Sequence, residues 1–187
     1  MSQAGRYILT IIILVFFSGL FSAVETSYSS ASKVRLKNME NDGNANAGAV
    51  LKVLDDFDRF LTTVLIGNNI VNIAAATVGT LLFTLYFSGN GPTISTIVIT
   101  IVTIMLGETA PKSLAKQMPE RLSCAMVGFV RFFEVILYPL SMFMKGWTWL
   151  VSKIANVQED DSDISDELAT MVEEAEREGN LEEHESD

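Results

Sequence analysis

The sequence predicts an all-α integral membrane protein: three transmembrane helices, a juxtamembrane helix and a cytosolic acidic helical segment. Three observations predict it. No Asp, Glu, Lys or Arg occurs between Arg59 and Glu108, and this long run is cut once, by Ser88-Gly89-Asn90-Gly91-Pro92. A second apolar run, Tyr7 to Val24, lies upstream. A helix needs about 20 mostly apolar residues to cross the hydrocarbon of a bilayer, so these runs have room for three crossings. The third observation is a split in charge: residues 156 to 187 hold 14 Asp plus Glu against one Arg, whereas residues 1 to 155 carry 12 Lys plus Arg against 9 acids. The body is therefore mildly basic, and the tail alone makes the chain acidic.

The first span is expected at about 5–30. Its apolar stretch is longer than a usual signal core, and it continues past Glu25 into a helix studded with polar residues, so it reads as a retained span rather than a cleaved leader. The second span is expected at about 60–87. Ser88 to Pro92 is the strongest turn signal in the chain, and it separates that span from a third at about 93–115. Lys33, Arg35, Lys37, Lys52 and Arg59 precede the second span, and Lys112, Lys116 and Arg121 close the third, while the turn has no basic residue. Basic flanks stay on the cytoplasmic side of a cell membrane. The N-terminus and the turn are accordingly expected outside, and the C-terminus in the cytoplasm.

At about 122–154 the apolar pattern is interrupted by Arg131, Glu134 and Lys145, broken by Pro139, and dense in Phe, Tyr and Trp. A helix lying at the interface accounts for this better than a fourth span. Residues 1–155 thus form the membrane domain. In 156–187, Ser165 is a candidate N-cap, and Leu168, Met171, Val172 and Ala175 have helical spacing. This acidic segment reads as a solvated linker.

Cys124 and His184 are each the only residue of their kind. An internal disulfide, a thiolate cluster, a zinc site and a His-based catalytic pair are all excluded as expectations. No enzyme activity and no nucleic-acid partner is expected.

The polar residues inside the spans are more informative. Ser18, Ser22, Glu25 and Ser29 fall on one face of the first span, and Asn68 and Asn72 share a face of the second beside Gly67. Thr100, Thr103, Gly107, Glu108 and Pro111 lie in the third. Ser, Thr and Asn often only join helices by hydrogen bonds of about 1 kcal/mol each, and Ser29, Thr100 and Thr103 are assigned to that role. Glu108 needs more, because an ionisable group within a span is costly. A pair with Lys112 one turn on is the bland alternative.

Pro111 sharpens the choice, since it has no amide hydrogen for the carbonyl four residues back, Gly107. A freed carbonyl beside a carboxylate gives two hard oxygen ligands. Ser22 and an amide oxygen from the Asn68, Asn69 and Asn72 group can complete an oxygen-lined cavity, which suits Mg2+, Ca2+ or Na+ rather than a transition metal. The helix at Gly107 and Glu108 is then expected to be unwound or bulged.

The strings SGLFSAVETSYSSASKVRL (18 to 36), VLIGNNIVNI (64 to 73) and LGETAPKSLA (106 to 115) together resemble the transmembrane domain of the CNNM/CorC magnesium transporters, over roughly residues 5 to 155. The resemblance implies a homodimer in the lipid bilayer with three spans per subunit, moving Mg2+, by export and with Na+ coupling for some members. It places the ion on Ser22, Asn68, the Gly107 carbonyl and Glu108, with Glu25, Asn72 and Pro111 in supporting or gating roles. It also implies a following CBS-domain pair that binds ATP. With the sequence ending at 187, that pair and its ATP are expected to be absent. The alternative function is a membrane-anchored Mg2+ sensor or regulator of another transporter.

Overall fold

The computed structural model describes residues 2–87 and 89–155; Ser88 and the acidic segment expected at 156–187 lie outside the described residues. All regular structure among the described residues is helical. Two compact units are distinguished, Met1–Met144 and Lys145–Asp187. The first contains the bundle and the site; the last helix runs on into the second.

Helix α1 (Gln3–Ser30) is one unbroken crossing-length helix whose first turn is capped by the Ser2 hydroxyl accepting the Gly5 N–H. A short hairpin follows, α2 (Lys33–Asn41) and α3 (Ala45–Leu54), and each helix opens on a polar cap, Ser32 and Asn44. Helix α4 (Phe57–Thr84) begins where the Asp56 carboxylate accepts the Arg59 N–H. The second span therefore starts three residues before the expected 60 and ends three before 87. A side-chain cap starts a helix in the polar region ahead of its apolar part, and apolar content alone does not show this.

The third span, Gly91–Gln117, is built from α5 (Gly91–Val102), a π-helical segment (Thr103–Thr109) and α6 (Ala110–Gln117). It is slightly longer than the expected 93–115, since Gly91 and Pro92 form its first turn, a position where proline costs no hydrogen bond. Among the described residues these three are the single helices long and apolar enough to cross a membrane, and Pro119–Ile136 with Tyr138–Met144 would make a fourth only as one bent span. The bundle is thus a multi-pass membrane domain.

The segment expected as one helix at 122–154 is two. Helix α7 (Pro119–Ile136) ends at Leu137, and α8 (Tyr138–Ala155) sets off with a bend of 68° between Pro119–Ile136 and Tyr138–Met144. Pro139 occupies the first turn of α8, where it can start a helix but could not have continued α7.

Helix α1 is the hub of the bundle, packing on α4, the π segment, α6 and α7. Its two ends are held by different clusters. Toward one end, Ile11 and Val15 meet Ala75 and Ile99. Toward the other, Phe21, Val24 and Tyr28 join Leu36, Val50, Phe60, Val64, Val127 and Val130 in the larger core. Tyr28 stacks on Phe60 with ring centroids 4.5 Å apart, and Phe21 meets Phe133 edge-on at 4.8 Å. Such aromatic pairs add about 0.5–1.5 kcal/mol each beyond the area they bury. Gly67 makes room for this: a Cβ there would stand 2.5 Å from the Phe21 ring. The small residue thus lets α4 close on α1 at the level of the polar groups described next.

Candidate functional site

Within the third span the backbone changes register just before the proline. The Ala110 N–H bonds the Met105 carbonyl, five residues back, which is the π pattern. Pro111 has no N–H to offer either Leu106, five back, or Gly107, four back. The expected bulge at Gly107 and Glu108 is therefore present, and proline is its chemical cause.

The Gly107 carbonyl is turned inward. The Ser18 Oγ lies 3.4 Å from it and 3.1 Å from the Asn68 Oδ1. The Asn68 Oδ1 also accepts the Asn72 amide N–H at 3.4 Å. One hydroxyl hydrogen of Ser18 is thus shared between two oxygen acceptors from two other helices. Irregular backbone is tolerated at membrane depth only under protein cover or beside water, and here the Ser18 side chain covers it. The fit is close, since a Cβ on Gly107 would stand 2.9 Å from the Ser18 Oγ. A neighbouring contact keeps α1 on the proline, with Gly19 so placed that a Cβ would stand 3.2 Å from the Pro111 ring.

Ser22, one turn beyond Ser18, is fully buried and its Oγ has no hydrogen-bond partner. Serines in helices usually donate to the carbonyl four residues back, as Ser29 does to Glu25 at 2.8 Å. The Asn72 Oδ1 is likewise buried without a partner. An unsatisfied buried group costs about 1–3 kcal/mol, and Ser22 and Asn72 each lie one turn from a member of the Ser18–Asn68 hydrogen bond.

Glu108 is half-buried and makes no ion pair or hydrogen bond among the described residues. Lys112, its alternative partner, instead bonds Glu25 at 3.2 Å, joining α6 to α1. Of the residues the sequence singled out, Asn68 and Gly107 meet through Ser18, Asn72 supports Asn68, and Pro111 causes the register change. Ser22 stands one rung away with its hydroxyl unpartnered. Ser18 is the residue that sequence reasoning left out of the ion site. It lay on the right face with Ser22, but periodicity identifies a face and not the level at which Gly107 arrives.

Among the described residues no three His, Cys, Asp or Glu side chains converge on a metal-binding position. The donors that do converge are a hydroxyl, an amide oxygen and a backbone carbonyl, with a carboxylate on the adjacent residue. These are hard, mostly neutral oxygens, suited to a cation that keeps part of its water.

The comparisons agree with this architecture. The chain matches the family described as the cyclin M transmembrane N-terminal domain over residues 9–185. It is 31% identical over 162 residues to the UPF0053 inner membrane protein YfjD of Escherichia coli, covering 84% of this chain and 38% of that protein. A chloroplastic DUF21 domain-containing protein of Arabidopsis thaliana is 31% identical over 96% of this chain and 28% of its own length. The polyamine export protein of Haemophilus influenzae is 31% identical over 80% of this chain and 36% of its own length. The chain thus spans well under half the length of these relatives. The match over residues 9–185, with which the three crossing-length helices agree, places the chain in the CNNM family, as its transmembrane domain.

Proposed function

We propose that this domain carries Mg2+ across the cell membrane by alternating access, in the direction of export, with its N-terminus outside and its C-terminus cytoplasmic. The observation that carries the reading is the convergence of the Ser18 Oγ, the Asn68 Oδ1 and the Gly107 carbonyl on one shared hydrogen at the π segment. A cation entering there gains three oxygen ligands, releases the Ser18 hydroxyl from a divided role and finds Ser22 and Glu108 close along the same helices. Mg2+ usually keeps several waters and takes one or two carboxylates, which matches a site with one adjacent Glu. Rocking of α1 against the third span, with the ion held between them, exposes the site to one side and then the other.

Relatives in Haemophilus influenzae and Escherichia coli that are polyamine export proteins raise a second cargo, a polyamine. A polyamine presents several ammonium groups along an extended chain, and several spaced carboxylates would serve it best. The three spans offer Glu25 and Glu108, with Asp58 in the first turn of α4, and Glu25 is engaged by Lys112. That supports Mg2+ over the larger cation.

The deciding experiment is flux through the purified chain in liposomes, with Mg2+, Na+, Ca2+ and spermidine compared and a Na+ gradient present or absent. Mg2+ flux that is abolished by Glu108→Gln is the expected result. Spermidine flux alone would transfer the site to the polyamine reading. Mg2+ binding without any flux would favour a sensor or regulator of another transporter.

A further inference from the structure

Below the oxygen cluster the same two helices carry an ion pair, Glu25 on α1 and Lys112 on α6, 3.2 Å apart and each only partly exposed. Both helices run in the same direction from the site. Ser18, Ser22 and Glu25 share one face of α1, so Glu25 lies about 10 Å along the axis from Ser18. On the other side, Lys112 follows Gly107 and Glu108 by little more than one turn. The order down this seam is Ser18 with Gly107, then the unpartnered Ser22 one turn on, then Glu25 with Lys112.

We propose that the Glu25–Lys112 pair is the cytoplasmic gate of the site, with the Lys112 ammonium acting as a tethered cation that a passing ion must displace from Glu25. This deepens the transport reading and rests on it. Three features support a gate over a simple strap. The pair bridges α1, which packs on the irregular segment, and α6, which continues it, rather than residues of one helix. It continues the line of polar groups Ser18, Ser22 and Glu25 along one face of α1, with the buried ring of Phe21 beside that line. Its two members have opposite meaning for a cation: the carboxylate attracts it and the ammonium repels it.

That asymmetry supplies the test. A strap responds in the same way when either end is cut, whereas a gate does not. The 187-residue chain and its variants are reconstituted in liposomes, Mg2+ flux is measured, and the Mg2+-induced shift in melting temperature is recorded separately as a readout of the site. Lys112→Met should raise Mg2+ flux roughly fivefold, the scale of a partly exposed ion pair. Glu25→Gln leaves the ammonium in the path and should lower flux by a similar factor. Exchanging the two residues, Glu25→Lys with Lys112→Glu, should bring flux back toward that of the unaltered chain. All three should keep the Mg2+-induced melting shift.

Changes of the same sign in both single variants, or no change in flux with the melting shift retained, would overturn the gate while leaving the transport reading intact. If the unaltered chain shows neither flux nor a melting shift with Mg2+, the transport reading itself fails. If Lys112→Met does not fold, Glu25→Gln and the exchanged pair decide: lowered flux in the first with recovery in the second supports the gate, and unchanged flux in the first overturns it.

Discussion

Ser18 and Ser22 show how two identical residues on one helix face acquire different work. Ser18 is held between Asn68 and Gly107, while the Ser22 hydroxyl is buried with no partner. Removing an unsatisfied buried hydroxyl relieves its desolvation cost, so Ser22→Ala should leave the cation-free protein as stable or about 1 kcal/mol more stable. In the same variant the stabilisation by added Mg2+ should fall; thermal melts with and without Mg2+ measure both. Ser18→Ala should instead cost stability without cation, because it strands the Gly107 carbonyl. Cys124 offers a separate check on the packing of α7. It is buried, and that burial, aided by the nearby Glu120 carboxylate, pushes its thiol above the ordinary range. Thiolate is the reactive form, so maleimide labelling near pH 7 should be slow in the folded protein and fast after denaturation.

The third span is the element whose irregularity matters most. A π segment is rare and tends to persist at functional sites. Here it has a local chemical origin in Pro111, and it is stabilised from outside by Ser18 and by the contact between Gly19 and the proline ring. Pro111→Ala restores an N–H and lets the span relax toward a regular α-helix. The expected outcome is a higher melting temperature together with a loss of at least tenfold in Mg2+ flux, since about 1.4 kcal/mol of lost site geometry suffices for that. Unchanged flux would show that the register change is incidental. The bend between α7 and α8 has the same origin in another proline, yet it opens an aromatic, partly exposed helix whose buried Ser141 meets Thr63 of α4 at 3.4 Å, instead of a polar pocket.

For the whole molecule, α1 is the hub against which the other spans and α7 assemble, and it carries both the polar face and the larger aromatic core. Orientation is a property of this scale, since basic residues cluster at the end bearing the α2–α3 hairpin and the start of α7. In a Cys124→Ala background, Asn90→Cys should react with a membrane-impermeant maleimide in intact cells. Asn44→Cys should react only after permeabilisation. The reverse pattern would invert the topology and with it the side on which Glu25 and Lys112 lie. Exposed apolar residues on α7 and α8, including Phe132, Val135, Met142 and Phe143, leave an apolar surface that suits lipid.

Three crossing-length spans, the break at Gly89 and Asn90 between the second and third, membrane class and the proline-linked irregularity at Gly107 were all legible in the sequence, because each follows from local chemistry: hydrocarbon length, turn residues and a missing N–H. The partners across helices were not. Ser18 in place of Ser22 at the level of Gly107, Lys112 with Glu25 in place of Glu108, and the close contact of Gly67 with Phe21 depend on the axial offset and rotation of one helix against another. Helical periodicity assigns a residue to a face and leaves its height relative to a neighbouring helix free. That height is decided by side-chain packing over the whole interface, so the three-helix arrangement of oxygens around Ser18 belongs to the tertiary structure alone.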